Sequence, residues 1–254
     1  MALVKEIELD ATRSQVWDMV ATGAGLSAWF VPHELESRLG GVGRAHFGGG
    51  NFQDGRVLIY EPGRRIMLGA EFDDAFRSEP EPFSGLEFWI TGDSPTTLHV
   101  RQEGFPVVDQ EVYESGWDVY LHTLSEYLRH FAPMPSATTV AIVSRSMERL
   151  RAYQRLVGAL GVRKEVAVGE ELTLQPRGRA GESISGVVDL RMSHPHLEVL
   201  GIRTQTGFLR AASDETCYAA ALTRYEYVVD PERFRNLTAE SASWQSWLEE
   251  QFAA

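Results

Sequence analysis

This sequence has almost no cysteine and too little positive charge to balance its acidic residues. One cysteine, Cys217, stands among 254 residues, so no internal disulfide can form and a reducing compartment is expected. Lys and Arg number 24 against 36 Asp and Glu, a net charge of −12. The deficit is lopsided: residues 1–136 carry 10 basic and 21 acidic side chains, a difference of −11, while residues 137–254 carry 14 and 15, a difference of −1. A phosphate backbone or an anionic bilayer would be repelled by the first half and ignored by the second, which argues against nucleic acid and membrane surfaces as partners. No stretch reaches the roughly 18 apolar residues of a membrane span. Residues Met1 to Glu8 alternate apolar and polar side chains and lack the apolar core of a secretory signal. The expected setting is cytoplasmic.

Familiar catalytic signatures are missing too. Gly41-Val-Gly43-Arg-Ala-His46 lacks the third glycine of a dinucleotide loop, and Gly181-Glu-Ser183-Ile-Ser185 lacks the closing glycine of a nucleophile elbow. Cys217, between Thr216 and Tyr218, reads as a small packing residue. What remains is an ordinary globular balance, 43% hydrophobic and 24% charged residues, in a length that suits one large domain or two small ones.

Periodicity supplies the organisation. Residues 4–9 alternate as a half-buried strand, and Thr12 to Gln15 has the spacing of a capping box that opens a helix through Val16, Trp17, Met19 and Val20. Gly23 and Gly25 are expected to end that helix, and a second short turn carries Leu26, Trp29 and Phe30. From Arg38 to Gln102 strand and turn signals dominate, with strands expected at 44–47, 55–61, 65–72, 85–91 and 96–103. A long helix over 109–131 follows, because Tyr113, Trp117, Tyr120, Leu121, Leu124, Tyr127, Leu128 and Phe131 share one face. Pro133 and Pro135 then mark a stiff linker.

Beyond the linker the order returns. A strand over 138–143, a helix over 147–160, strands at 165–174, 185–192, 197–203, 207–212 and 217–228, and a final helix opened by Asp230-Pro231 are predicted. Gly55-Arg-Val-Leu58 matches Gly186-Val-Val-Asp-Leu190 at an offset of 131, and Trp117-x-x-Tyr120-Leu121 matches Trp244-x-x-Trp247-Leu248 at an offset of 127. Nearly equal offsets and matching element order indicate a tandem repeat, with domains over 1–132 and 137–254.

This order resembles the helix-grip or START-like fold of the SRPBCC superfamily, an α+β architecture in which a curved antiparallel sheet wraps a long C-terminal helix. Residues 3–131 are similar to the branch of activator of heat-shock-protein-90 ATPase homologues. The resemblance is carried by Ile7-Glu-Leu-Asp10, Val16-Trp17, Gly25-Leu26 with Trp29-Phe30, and Asp54-Gly-Arg-Val-Leu58 leading to Pro62-Gly-Arg-Arg-Ile66. It continues through Thr97-Leu98 to Glu103-Gly-Phe105, then Gly116-Trp117, Tyr120-Leu121 and Tyr127-Leu128. The second half resembles the same fold in a divergent form.

The resemblance implies an apolar cavity between sheet and long helix, the usual form of a small-molecule site. Strand parity nominates Leu58, Tyr60, Leu86, Phe88, Ile90, Leu98 and Val100 for its walls, with Trp29, Phe30, Tyr113, Trp117 and Tyr120 as an aromatic end. The same residues also suit a closed core; the tyrosines favour a cavity because a buried phenol needs a partner. His99 falls on the opposite parity, and His122, with Asp118 and Glu126 four residues to either side, lies off the apolar stripe on what reads as a solvated helix face. His194-Pro-His196-Leu-Glu198 has two imidazoles and a carboxylate, but the proline favours a turn over a metal site. The acidic run from Glu71 through Glu81 reads as a solvated loop without the spacing of a calcium site.

The expected function is therefore noncatalytic binding of an apolar or aromatic small molecule, with no cofactor. The superfamily also implies two alternatives: an enzyme similar to polyketide cyclases and aromatases, or a chaperone-regulating protein with a protein partner. An inward-facing histidine or arginine would favour the enzyme.

Overall fold

Thr12 and Gln15 close the expected capping box: the Gln15 amide donates to Thr12 Oγ1 over 3.3 Å while the Thr12 amide donates to Gln15 Oε1 over 2.9 Å. These bonds satisfy two of the free donors at the start of helix α1 (Arg13–Ala21). In the computed structural model of the protein, residues 2–70, 85–104, 110–214, 218–228 and 230–253 are described. Cys217, the acidic run from Glu71 through Glu81, and Phe105 lie outside them.

The glycines expected to end α1 instead open the next helix. Thr22 accepts from the Gly25 amide and caps α2 (Gly23–Ser27). Gly25 is where α2 crosses α1, and a β-carbon there would sit 1.9 Å from the Asp18 carbonyl oxygen. Only a residue without a side chain fits.

Two compact units follow from the chain, Met1–Pro133 and Met134–Ala254. The first contains β1 (Ala2–Leu9), α1, α2, β2 (His33–Leu35), β3 (Val42–Gly48), β4 (Asn51–Glu61), β5 (Arg65–Ala70), β6 (Gly85–Gly92), β7 (Thr96–Glu103) and α3 (Gln110–His130). Its sheet runs β1-β7-β6-β5-β4-β3-β2, antiparallel between neighbours. Helix α3 lies along β1, and its stripe is sealed at Trp117, Leu121, Leu124 and Tyr127.

The second unit repeats the order with β8 (Ser136–Val143), α4 (Arg149–Ala159), β9 (Glu171–Leu174), β10 (Ile184–His194), β11 (Leu197–Thr204), β12 (Gly207–Asp214), β13 (Ala220–Tyr227) and α5 (Pro231–Phe252). Sheet order is β8-β13-β12-β11-β10-β9, the same winding with one strand fewer. Asp230 caps α5 by accepting from the Glu232 amide over 2.9 Å. The strand expected from 165 begins only at Glu171. Gly169, with φ of 90°, turns the chain there, and the Lys164–Glu170 ion pair closes the loop.

The fold is α+β, two helix-grip units in tandem. The matched sequence pairs occupy matched positions: Trp117 and Trp244 are buried on the last helix of each unit, and β4 and β10 carry bulges after Val57 and Val188.

Candidate ligand-binding site

Aromatic rings from α2, β6 and α3 meet inside the first unit. Trp29, just past α2, lies 6.1 Å from Phe88 on β6 and 6.5 Å from Trp117 on α3, centroid to centroid. Phe30 stacks on Trp117 at 5.3 Å and 28° and meets the edge of Tyr120 at 4.5 Å and 86°. Offset stacks and edge-on contacts of this kind are the arrangements the ring quadrupole prefers. The indole donors are satisfied internally: Trp29 Nε1 donates to the Met19 carbonyl over 3.0 Å, and Trp117 Nε1 to Gln102 Oε1 over 2.7 Å.

Burial is graded across this cluster. Trp29, Phe88, Leu98 and Ile90 are sealed, Trp117 and Phe30 nearly so, while Tyr120, Phe47 and His33 are half-buried; Tyr113, one turn before Trp117 on α3, is half-buried as well. Phe47 reaches Phe30 edge-on at 6.3 Å, and the His33 ring lies 5.3 Å from Phe30. The cluster thus runs from a dry core to a partly open end where a phenol and an imidazole are found.

Tyr60 stands apart from this end, 5.7 Å from Trp17 of α1. Leu58 is corrected: its side chain is 43% exposed and turned away from the cluster, while Val57 is buried in its place. The cause is the bulge in β4, where Val57 pairs with Leu68 and Ile59 with Met67, leaving Leu58 as the extra residue. Simple alternation fails at such a position.

His33 was missed because a three-residue strand, β2, gives no readable alternation. Opposite Ala45 and diagonal to Phe47, it shares their inward face. Its Nδ1 lies 2.7 Å from the Val31 carbonyl oxygen, so Nδ1 carries the proton and Nε2 the lone pair. Burial, opposed by that hydrogen bond and aided by His46, drops its pKa from the usual 6.5 to about 4. The ring is neutral at pH 7.

Other sequence candidates fall elsewhere. Asp118 is taken by Lys5 of β1 at 2.7 Å, and Glu126, expected on a solvated face, is buried and paired with Arg129 and His130. On the outward face of the sheet, His99 stacks on Trp89 at 4.8 Å and 3°. In the second unit, Pro195 and His196 form the β10–β11 turn, and Glu198 is buried between Arg149 and Arg191. Among the described residues no group of three or more His, Cys, Asp or Glu gathers as metal ligands. No helix among them is long and apolar enough to cross a membrane.

No curated protein sequence matches the chain significantly. Among solved structures, a protein of Mesorhizobium loti is 18% identical with a TM-score of 0.44, covering 51% of this chain and 97% of its own. BexL, a di-domain ARO/CYC from the BE-7585A biosynthetic pathway, is 15% identical over 100% of this chain and 99% of its own, with a TM-score of 0.44. Aha1 from Colwellia psychrerythraea, solved as a dimer, is 16% identical over 50% of this chain and 96% of its own, with a TM-score of 0.41. The profile of the family described as activator of Hsp90 ATPase homolog 1-like protein matches residues 10–129, nearly the whole first unit. Over those residues the first unit is similar to the activator of Hsp90 ATPase homolog 1-like family.

Proposed function

We propose that the first unit binds an apolar or aromatic small molecule at the open end of its aromatic cluster. The observation that carries this reading is the burial gradient: sealed Trp29 and Phe88 pass through Phe30 to half-buried Tyr120, Phe47 and His33. A closed core has no need of a phenol and an imidazole at one end, whereas a ligand site uses apolar walls with a few polar groups to set orientation. The contributors are Trp29, Phe30, Phe88, Tyr113, Trp117 and Tyr120, with Ile90 and Leu98 behind them. The test is titration with an apolar fluorescent probe. Saturable binding, weakened at least ten-fold by Tyr120→Ala in a variant that keeps its circular dichroism, supports the reading. Binding indifferent to Tyr120→Ala and Trp117→Ala overturns it.

One observation favours a second reading, an enzyme that moves a proton within the bound molecule as cyclases and aromatases do. His33 is inward-facing, neutral at pH 7 and fixed in one tautomer by Val31, which leaves Nε2 free to accept a proton. Mass spectrometry of a bound polyketone incubated with protein separates the two. An unchanged molecule indicates binding alone. Loss of water with ring formation, abolished by His33→Gln, indicates catalysis.

A further inference from the structure

The outward face of the first sheet carries a cleft of about 360 Å³, lined by Arg64, Arg65, Glu87, Trp89, Ile90, Thr91 and Arg101. It lies on the opposite face from the aromatic cluster because alternate residues of β6 face opposite ways: Phe88 is buried inward, while Glu87, Trp89 and Thr91 line the cleft. Its volume lies within the range of small-molecule sites.

Two features define what it would hold. The first is a fixed aromatic wall. Trp89 and His99 are cross-strand partners stacked at 4.8 Å and 3°. The imidazole is held by Thr91 Oγ1 at 2.9 Å from Nε2 and by Glu6 at 3.3 Å from Nδ1, so the indole is braced by a ring that cannot turn freely. A planar group laid on this wall finds it already ordered.

The second is the guanidinium triad. Three of the ten basic side chains in a unit with 21 acidic ones converge on this cleft. Arg65 is neutralised by Glu87, whose side chain is 6% exposed. The other two have weaker holds. Arg64 is 75% exposed and 3.6 Å from Glu61, and Arg101, 44% exposed, pairs at the rim with Glu103. Exposed pairs of this kind contribute little. A ligand carboxylate docked on a guanidinium inside a cleft forms the stronger, bidentate kind of bond and displaces them.

We propose that this outward cleft is a binding site for a small planar aromatic carboxylate, its ring on Trp89 and its carboxylate between Arg64 and Arg101. Neutral aromatics gain only the stacking and bind more weakly. Small inorganic anions gain only the charge.

The test is calorimetric titration of the full chain with 2-naphthoate, 2-naphthamide and inorganic phosphate. Expected is saturable binding of 2-naphthoate at least ten-fold tighter than either control, weakened several-fold between 20 and 300 mM salt. The double variant Arg64→Gln/Arg101→Gln, altering two solvent-exposed side chains, should lose at least ten-fold, as should Trp89→Leu. Naphthoate binding that is lost in Tyr120→Ala but kept in the double arginine variant belongs to the inward site and overturns the proposal, which keeps the two outcomes separate. Equal affinity for 2-naphthamide, indifference to the double arginine variant, or absence of saturable binding overturns the proposal.

Discussion

Leu58 and Asp189 are the same residue of two repeats: each is the extra residue of a bulge, after Val57 in β4 and after Val188 in β10. What each bulge presents differs. Leu58 points an apolar side chain outward, 43% exposed. Asp189 meets Arg210 on β12 in two hydrogen bonds of 2.9 and 2.7 Å, with both side chains about 5% exposed or less.

Asp189→Ala leaves Arg210 charged and buried, and should cost about 3–5 kcal/mol in urea unfolding. The double replacement Asp189→Leu/Arg210→Met should recover most of that loss, because the pair's desolvation cost vanishes with it. A double variant no more stable than the single one would show that the pair itself stabilises the bulge.

Glu198 offers a second buried charge, held by Arg149, Arg191 at 3.2 Å and the Ser193 hydroxyl at 2.8 Å. It ties the start of α4 to β10 and β11. Removing the carboxylate by Glu198→Ala should lower stability by about 3–5 kcal/mol, and Glu198→Gln by less, since the amide still accepts a hydrogen bond. Equal losses in the two variants would deny the charge any role.

Trp117 combines packing with one polar bond, to Gln102. Trp117→Phe should cost about 1–3 kcal/mol, largely the unpaired Gln102 amide, and Trp117→Ala about 3–5 kcal/mol through the cavity left among Trp29, Phe30 and Phe88. Thermal melting of both variants beside wild type measures the split.

His33 sets a pH dependence whose sign follows from its depressed pKa. The unfolded chain takes up a proton near pH 6.5 and the folded one near 4, so the unfolded state binds more protons in between. The contribution of His33 is fully present above pH 6.5 and is lost as pH falls toward 4. Subtracting the urea stability of His33→Gln from that of wild type at each pH isolates it. A flat difference over that window would mean the ring is protonated in the folded protein.

Gly25→Ala should abolish the native packing of α1 and α2, because the added carbon would collide with the Asp18 carbonyl. Soluble protein with wild-type melting behaviour would contradict that crossing.

Much of the fold was legible because it rests on local rules. The α3 stripe from Trp117 through Tyr127, the Thr12 cap and the Asp230-Pro231 start are each written within a few residues. The candidate site was legible in part. Trp29, Phe30, Trp117 and Tyr120 could be nominated because helices and aromatic pairs announce themselves, while Leu58 was misplaced by a bulge and His33 hidden in a strand too short to alternate.

By itself the sequence determined that the chain repeats, where α1, α3 and α5 begin, and that its acidity belongs to the first unit, since composition and periodicity are properties of the chain alone. Only the tertiary structure decided which rings meet, that His33 is neutral and faces inward, and that Trp89 and three arginines share one cleft. Strand register and packing bring together residues as far apart as Lys5 and Asp118, separated by 113 positions, and no local pattern encodes that distance.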